Sequence, residues 1–300
     1  MKLKGDKVLR DRFFTPESYL HPAKGHLGLW WEILERYTKP GEWVLDPMAG
    51  VGATMLGALL GRNIISVELE QHFVEPMRAS WAKMRQHPML GYDLGQVIIL
   101  RGDARDLPLG RADAVITSPP YEQEHQGGPD TRPEAQQGGM AGRTAERYTR
   151  PVDAVVTSPP FGEAQSGGGI AAAMSGKGTY AVTTNLPGSV YNPESHNHST
   201  ENIGNLRSAA YWEAMRQVYS ECHHCLKPGG LMVLVVGNYV RAGLIVDLVG
   251  ATIIECERLG FRLFDRWERE KWSLSFWRIL QARKGGPIIN SESVIAFRRE

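Results

Sequence analysis

Two nearly identical turns stand forty residues apart, Thr117-Ser118-Pro119-Pro120-Tyr121 and Thr157-Ser158-Pro159-Pro160-Phe161. Each follows a short apolar run ending in threonine. The two prolines fix the backbone and remove two N–H donors. Such a turn offers carbonyl oxygens with no competing donor, a serine hydroxyl before them and an aromatic ring after. That set suits the exocyclic amine of a nucleobase. The amine lone pair is delocalised into the ring, so the nitrogen is a poor nucleophile. Acceptors from the Ser hydroxyl and the Ser-Pro carbonyl bind its two hydrogens and favour a pyramidal nitrogen. The aromatic ring would stack on a base that has left its duplex. A plain Pro-Pro turn is the competing explanation for Ser-Pro-Pro alone; the second constellation weighs against it.

That constellation is Leu45-Asp46-Pro47-Met48-Ala49-Gly50-Val51-Gly52-Ala53-Thr54. Gly50 and Gly52 allow a sharp turn and close backbone approach to a ligand. A dinucleotide fingerprint would need a third glycine at position 55, which is Met55. Asp46 stands just before the turn. Its charge would repel a pyrophosphate but suits a ligand bearing an ammonium group, and S-adenosylmethionine carries an ammonium and a sulfonium. Glu68 follows at the spacing expected of a ribose-binding acid, about 20 residues on. Asp103, with Ala104 beside it, comes after the next strand, where a carboxylate can accept from an adenine amine. Solvated loop acids would explain any one of these better than all three in step.

The Asp46 turn together with the Thr-Ser-Pro-Pro-Tyr turn resembles the DNA amino-methyltransferases, which modify cytosine N4 or adenine N6. The segment from His21 to Leu34 is similar to the family stretch that precedes the cofactor turn. The resemblance covers roughly Phe13 to Thr117 and Asn205 to Arg299, and says little of Glu122 to Asn202. It implies S-adenosylmethionine as cofactor, double-stranded DNA as partner and base flipping as the route. By the resemblance, His21, Pro22, Asp46, Pro47, Gly50, Gly52, Glu68, Asp103 and Ala104 would hold the cofactor. In that family a serine at the head of the turn is seen mostly with cytosine N4, and Asp or Asn with adenine N6. The expected activity is therefore a site-specific cytosine-N4 DNA methyltransferase. The alternatives are adenine N6, an RNA base amine, or a nucleic-acid-binding relative without catalysis.

Elements must hold these residues. Pro22–Tyr37 has apolar residues at helical spacing. Trp43–Asp46, Asn63–Glu68, Gln96–Leu100 and Asp113–Thr117 read as successive strands, with helices after the glycine turn and over His72–Gln86. The stretch from Ser208 to Leu226 reads as a helix stopped by Lys227-Pro228-Gly229-Gly230, followed by a strand over Leu231–Val236. A helix before Gly260 and two terminal strands complete the chain. Alternating strands and helices predict a doubly wound, mostly parallel Rossmann-like α/β sheet with an antiparallel terminal strand. Ligands in such sheets sit at the carboxyl ends of the strands.

The 300 residues read as one domain, 1–300, with a Gly- and Ser-rich polar insertion at 122–204 that is a candidate target-recognition region. The net charge of +1 argues against bulk electrostatic binding but leaves room for a local basic groove. Three cysteines fit a reducing cytosol, and the charged N-terminus lacks the apolar core of a signal peptide, so a cytoplasmic location is expected. Only one of the two turns can follow the strand beside Trp43–Asp46. The short link from Asp103 to Asp113 favours the first copy, Ser118, Pro119, Pro120 and Tyr121. The second, Ser158, Pro159, Pro160 and Phe161, is the alternative. Weaker signals are Cys222-His223-His224-Cys225, read as part of a packed helix rather than a zinc site, and His196 with His198 in a polar loop. The basic and aromatic run from Phe261 to Lys284 reads as an amphipathic edge strand, with a DNA-facing surface as the alternative.

Overall fold

The computed structural model describes residues 5–19, 25–107, 152–157, 203, 206, 208–241, 244–270 and 286–300. Among these, the helices are α1 (Lys7–Phe13), α2 (Leu27–Tyr37), α3 (Leu56–Leu59), α4 (Gln71–Met84), α5 (Ser208–Cys225) and α6 (Leu248–Arg258). The strands are β1 (Trp43–Asp46), β2 (Asn63–Glu68), β3 (Val97–Arg101), β4 (Val152–Thr157), β5 (Leu226–Val236), β6 (Tyr239–Arg241), β7 (Leu244–Val246), β8 (Phe261–Glu270) and β9 (Ser291–Arg299).

Seven strands form one sheet in the order β3-β2-β1-β4-β5-β9-β8, and β6 pairs with β7 apart from it. Every pairing from β3 to β5 is parallel. β9 runs antiparallel to both its neighbours, inserted between β5 and β8. The antiparallel terminal strand is thus as expected, and the order reverses at β1, whose neighbours are β2 and β4. Such a switch point opens a crevice at the carboxyl edge.

Buried strands of a parallel sheet are apolar on both faces, which is why Trp43–Asp46 and Asn63–Glu68 could be read from the chain. Leu45, Ile65 and Val67 pack with Tyr211, Met215 and Val218 of α5 and Leu248 and Val249 of α6. Val44, Ile64, Val156 and Val233 pack on the other face with Leu29, Ile33 and Leu34 of α2 and Leu56 of α3. Both faces are covered, as a doubly wound sheet requires.

Three boundaries differ from the sequence reading. Helix α2 starts at Leu27, because the Asp6 carboxylate beside α1 accepts the Leu27 N–H at 2.9 Å and satisfies the helix start there. Lys227-Pro228-Gly229-Gly230 does not separate helix from strand: β5 begins at Leu226, and this stretch loops out of its pairing with β4 between Leu226 and Leu231. The larger correction concerns the strand beside β1. That place is held by Val152–Thr157, the strand of the second turn copy, and not by Asp113–Thr117 as expected; Val44 pairs with Ala154 and Leu45 with Val155. Asp153 fixes the start of β4 on both sides. Its carboxylate accepts the Trp43 N–H of β1 at 3.2 Å and pairs with Lys227 of β5. The stretch Asp113–Thr117 lies outside the described residues.

Candidate functional site

Asp46 ends β1 fully buried, and its carboxylate is engaged within its own turn. One oxygen accepts the Thr54 hydroxyl at 2.8 Å, and the other faces the Met48 N–H at 3.3 Å. The acid therefore ties the two ends of the glycine turn together. Gly50 and Gly52 both have left-handed backbone, with φ of 55° and 76°. At Gly52 the left-handed backbone is what demands glycine; a Cβ there would also press on the movable Met55 terminal methyl at 2.5 Å and on Met77 at 3.1 Å.

Glu68 ends β2, the parallel neighbour. It reaches across to the turn: one carboxylate oxygen accepts the Gly50 N–H at 2.8 Å, and the other accepts the Glu70 N–H at 2.8 Å. Burial pushes its carboxyl up to about 7; these N–H bonds hold it lower than burial alone would, and the nearby Glu70 charge adds to the rise. Among the described residues no Lys or Arg side chain forms an ion pair with Glu68, although Arg101 is its backbone partner in the β2–β3 ladder. A buried carboxylate with lone pairs left beside a glycine turn is suited to accept further hydroxyl donors, such as a ribose diol.

Asp103 lies two residues past Arg101, which pairs with Glu68, so the acids rise in step across β1, β2 and β3. Its carboxylate is held by Arg105: the backbone N–H donates at 2.9 Å, and the guanidinium Nε sits 3.0 Å from both oxygens. Ala104 between them is buried. Pro47 completes the entry to the glycine turn. The structure therefore brings together Asp46, Pro47, Gly50, Gly52, Glu68, Asp103 and Ala104 along one carboxyl edge. His21, Pro22, Ser118, Pro119, Pro120, Tyr121, Ser158, Pro159, Pro160 and Phe161 lie outside the described residues. So do His196 and His198.

Three residues went unread in the sequence. Thr54 holds Asp46, the Glu70 N–H donates to the Glu68 carboxylate, and Arg105 orients Asp103. Only Arg105 carried a signal, a cation two residues after an acid in a short loop. Cys222 and Cys225 are buried in the apolar cluster of α5, and burial pushes the Cys225 thiol up to about 12. They pack as small apolar groups, as the helical reading expected. β8, Phe261–Glu270, is one edge strand of the sheet and β3 the other; residues 271–284 of that run lie outside the described residues.

No family model matches the chain. A stretch of 82 residues is 37% identical to the type II methyltransferase M2.MboI of Moraxella bovis, covering 25% of this chain and 30% of that protein. The chain thus spans under a third of the length of this curated relative. Among solved structures, TrmN from Thermus thermophilus is similar at a TM-score of 0.45 and 14% identity, over 95% of this chain and 52% of that one. A SAM-dependent methyltransferase from Methanosarcina mazei gives 0.44 and 11%, over 89% and 96%. A TehB-like SAM-dependent methyltransferase from Corynebacterium glutamicum gives 0.42 and 12%, over 90% and 86%. The fold itself rests on the strand order: a doubly wound, mostly parallel α/β sheet with its next-to-edge strand reversed.

Proposed function

We propose that the chain is a DNA amino-methyltransferase that methylates cytosine N4, and that the second turn, Ser158-Pro159-Pro160-Phe161, does the chemistry. The observation that carries this is the register of β4. Val155 pairs with Leu45, one residue before Asp46, and Thr157 pairs with Leu234 at the carboxyl end of β5. β4 therefore ends, at Thr157, on the carboxyl edge of the sheet at the switch point, next to the strand whose end opens the glycine turn.

The cofactor is S-adenosylmethionine. Bound there, it supplies an electrophilic methyl group on sulfur. Glu68 accepts from its ribose hydroxyls, and Asp103, braced by Arg105, accepts from its adenine amine. The glycine turn, tied by Asp46 and Thr54, would hold its methionine end, together with His21 and Pro22. Ser158 and the Ser-Pro carbonyl accept the two hydrogens of the target amine and turn its lone pair out of the base plane. Phe161 stacks on the flipped base. Partial likeness to a type II methyltransferase supports DNA as the substrate. A serine at the head of the turn supports cytosine.

The test is to incubate the chain with S-adenosylmethionine and DNA, digest the product to nucleosides and weigh them. N4-methylcytosine is expected. N6-methyladenine alone would overturn the base assignment, and methylation of RNA alone would overturn the substrate.

A further inference from the structure

Helix α1 bridges α4 and the start of α2. At its far end the Lys83 ammonium of α4 donates to the carbonyl oxygens of Asp11 at 2.6 Å and Phe14 at 2.8 Å, and the Ser80 hydroxyl accepts the Thr15 N–H at 3.1 Å. At its near end stand Asp6 and Arg10, paired at 2.9 Å. Arg10 is only 2% exposed, its guanidinium set against the Phe14 and Tyr19 rings. The pair reaches the start of α2 twice. Arg10 donates to the Gly25 carbonyl at 2.7 Å, and Asp6 accepts the Leu27 N–H at 2.9 Å. Gly25 lies against the Trp30 indole, where a Cβ would fall 1.9 Å from the ring nitrogen. His26, at the head of α2, gives no side-chain cap. The entry of α2 is therefore set by α1.

A buried cation needs a partner, and an anion at a helix start meets the positive end of the helix dipole. Asp6 serves both. Taking such a pair out of water costs more than apolar side chains of the same volume would, so stability alone is a poor account of it. What α2 touches supplies a better one. Leu27 and Trp30 share one buried cluster with Ala49, Ala53 and Met55, which flank Gly50 and Gly52, and α2 packs directly on Ala53–Met55. We propose that Asp6 and Arg10 are positioning residues for S-adenosylmethionine. They fix where α2 begins, and α2 in turn holds the glycine turn in its binding shape. They act through α2 and not by contact with the cofactor. This rests on the reading of the glycine turn as the cofactor site.

The full chain is titrated with S-adenosylmethionine by calorimetry and unfolded in urea without it. Asp6→Ala removes the acceptor of the Leu27 N–H and is expected to weaken cofactor binding by about tenfold or more. Asp6→Asn still offers that N–H an oxygen, so its affinity stays within about threefold of wild type while the chain, its buried cation unpaired, unfolds at lower urea. Ser80→Ala loosens the opposite end of α1; it lowers the urea midpoint and leaves affinity unchanged. Should Asp6→Ala not fold, Arg10→Met, which gives up the Gly25 bond, carries the same expectation. A less stable Asp6→Ala or Arg10→Met chain that binds cofactor like wild type makes the pair a brace for the fold only and overturns the proposal. An equal loss of affinity in Asp6→Asn or Ser80→Ala overturns it too, since any loosening of α1 would then suffice. A wild-type chain that binds no cofactor overturns the site reading itself, and the positioning with it.

Discussion

The Glu68 carboxylate accepts the backbone N–H of Gly50 at 2.8 Å, joining the end of one strand to the turn after its neighbour. The bond makes the shape of the glycine turn depend on an acid eighteen residues away. It also sets a pH dependence. The Glu68 carboxyl is pushed up to about 7 from an ordinary 4.5. The folded chain then holds a proton that the unfolded chain has already released.

Stability from this group is therefore fully present below about pH 4.5 and is lost as pH rises through about 7. The difference corresponds to on the order of 3 kcal/mol. Urea unfolding at pH 5 and pH 8, without cofactor, should show a steeper decline in wild type than in Glu68→Gln. Equal slopes would mean that Glu68 titrates normally. Ribose hydroxyls donating to the carboxylate favour its charged form, so S-adenosylmethionine should bind more tightly at pH 8 than at pH 5. Calorimetry in two buffers of different ionisation heat should register proton release on binding.

The Asp46 carboxylate is buried, so its hydroxyl partner matters more than an exposed one would. Thr54→Val keeps the shape and removes the donor. It should cost about 1–3 kcal/mol of stability, the penalty for a buried acceptor left short. Asp46→Ala should lose S-adenosylmethionine binding outright, because the turn loses both ties. Denaturant midpoints and calorimetric affinity check the pair. Unchanged affinity in Asp46→Ala would remove the proposed site.

The chain announced much of this site. Parallel strands are apolar throughout, so β1 and β2 could be bounded to the residue, and the acids at their ends stood out against that background. What could not be read locally is which turn copy the sheet uses. Asp113–Thr117 and Asp153–Thr157 read alike, down to the aspartate that heads each. Asp153 earns its place through Trp43 and Lys227, contacts that exist only once the sheet has formed. Loop length argued for the first copy, but closing a longer loop adds only slightly to its entropic cost, so that argument was weak. The bonds from Gly50 and Glu70 to Glu68 were equally invisible, since backbone donors leave no mark in sequence. The spacing alone suggested a ribose contact, not a brace for the turn.

Arg105 carries a separable effect. Its guanidinium spans both oxygens of Asp103, so Arg105→Ala should leave that carboxylate unaimed rather than absent. Cofactor affinity should fall about three- to tenfold, in keeping with a partly exposed charge pair. Asp103→Ala should fall further, since it removes the acceptor itself. If Arg105→Ala binds like wild type while Asp103→Ala does not, the pair has no orienting role.

The two turn copies give the sharpest comparison. If the second copy acts on the base, Ser158→Ala should lower single-turnover methylation while leaving cofactor binding intact, because the lost bond acts on the target nitrogen. Phe161→Ala should lose a stacking contact worth about 1–3 kcal/mol. Ser118→Ala and Tyr121→Ala should act on DNA affinity or site choice, if they act at all. The motive is the position of β4 between β1 and β5, which leaves that place in the sheet closed to a strand over Asp113–Thr117. All four variants are compared at saturating cofactor on the same DNA. Should Ser118→Ala abolish the chemical step while Ser158→Ala keeps it, the first turn is the working one. It would then have to reach the switch point from a strand outside this sheet position.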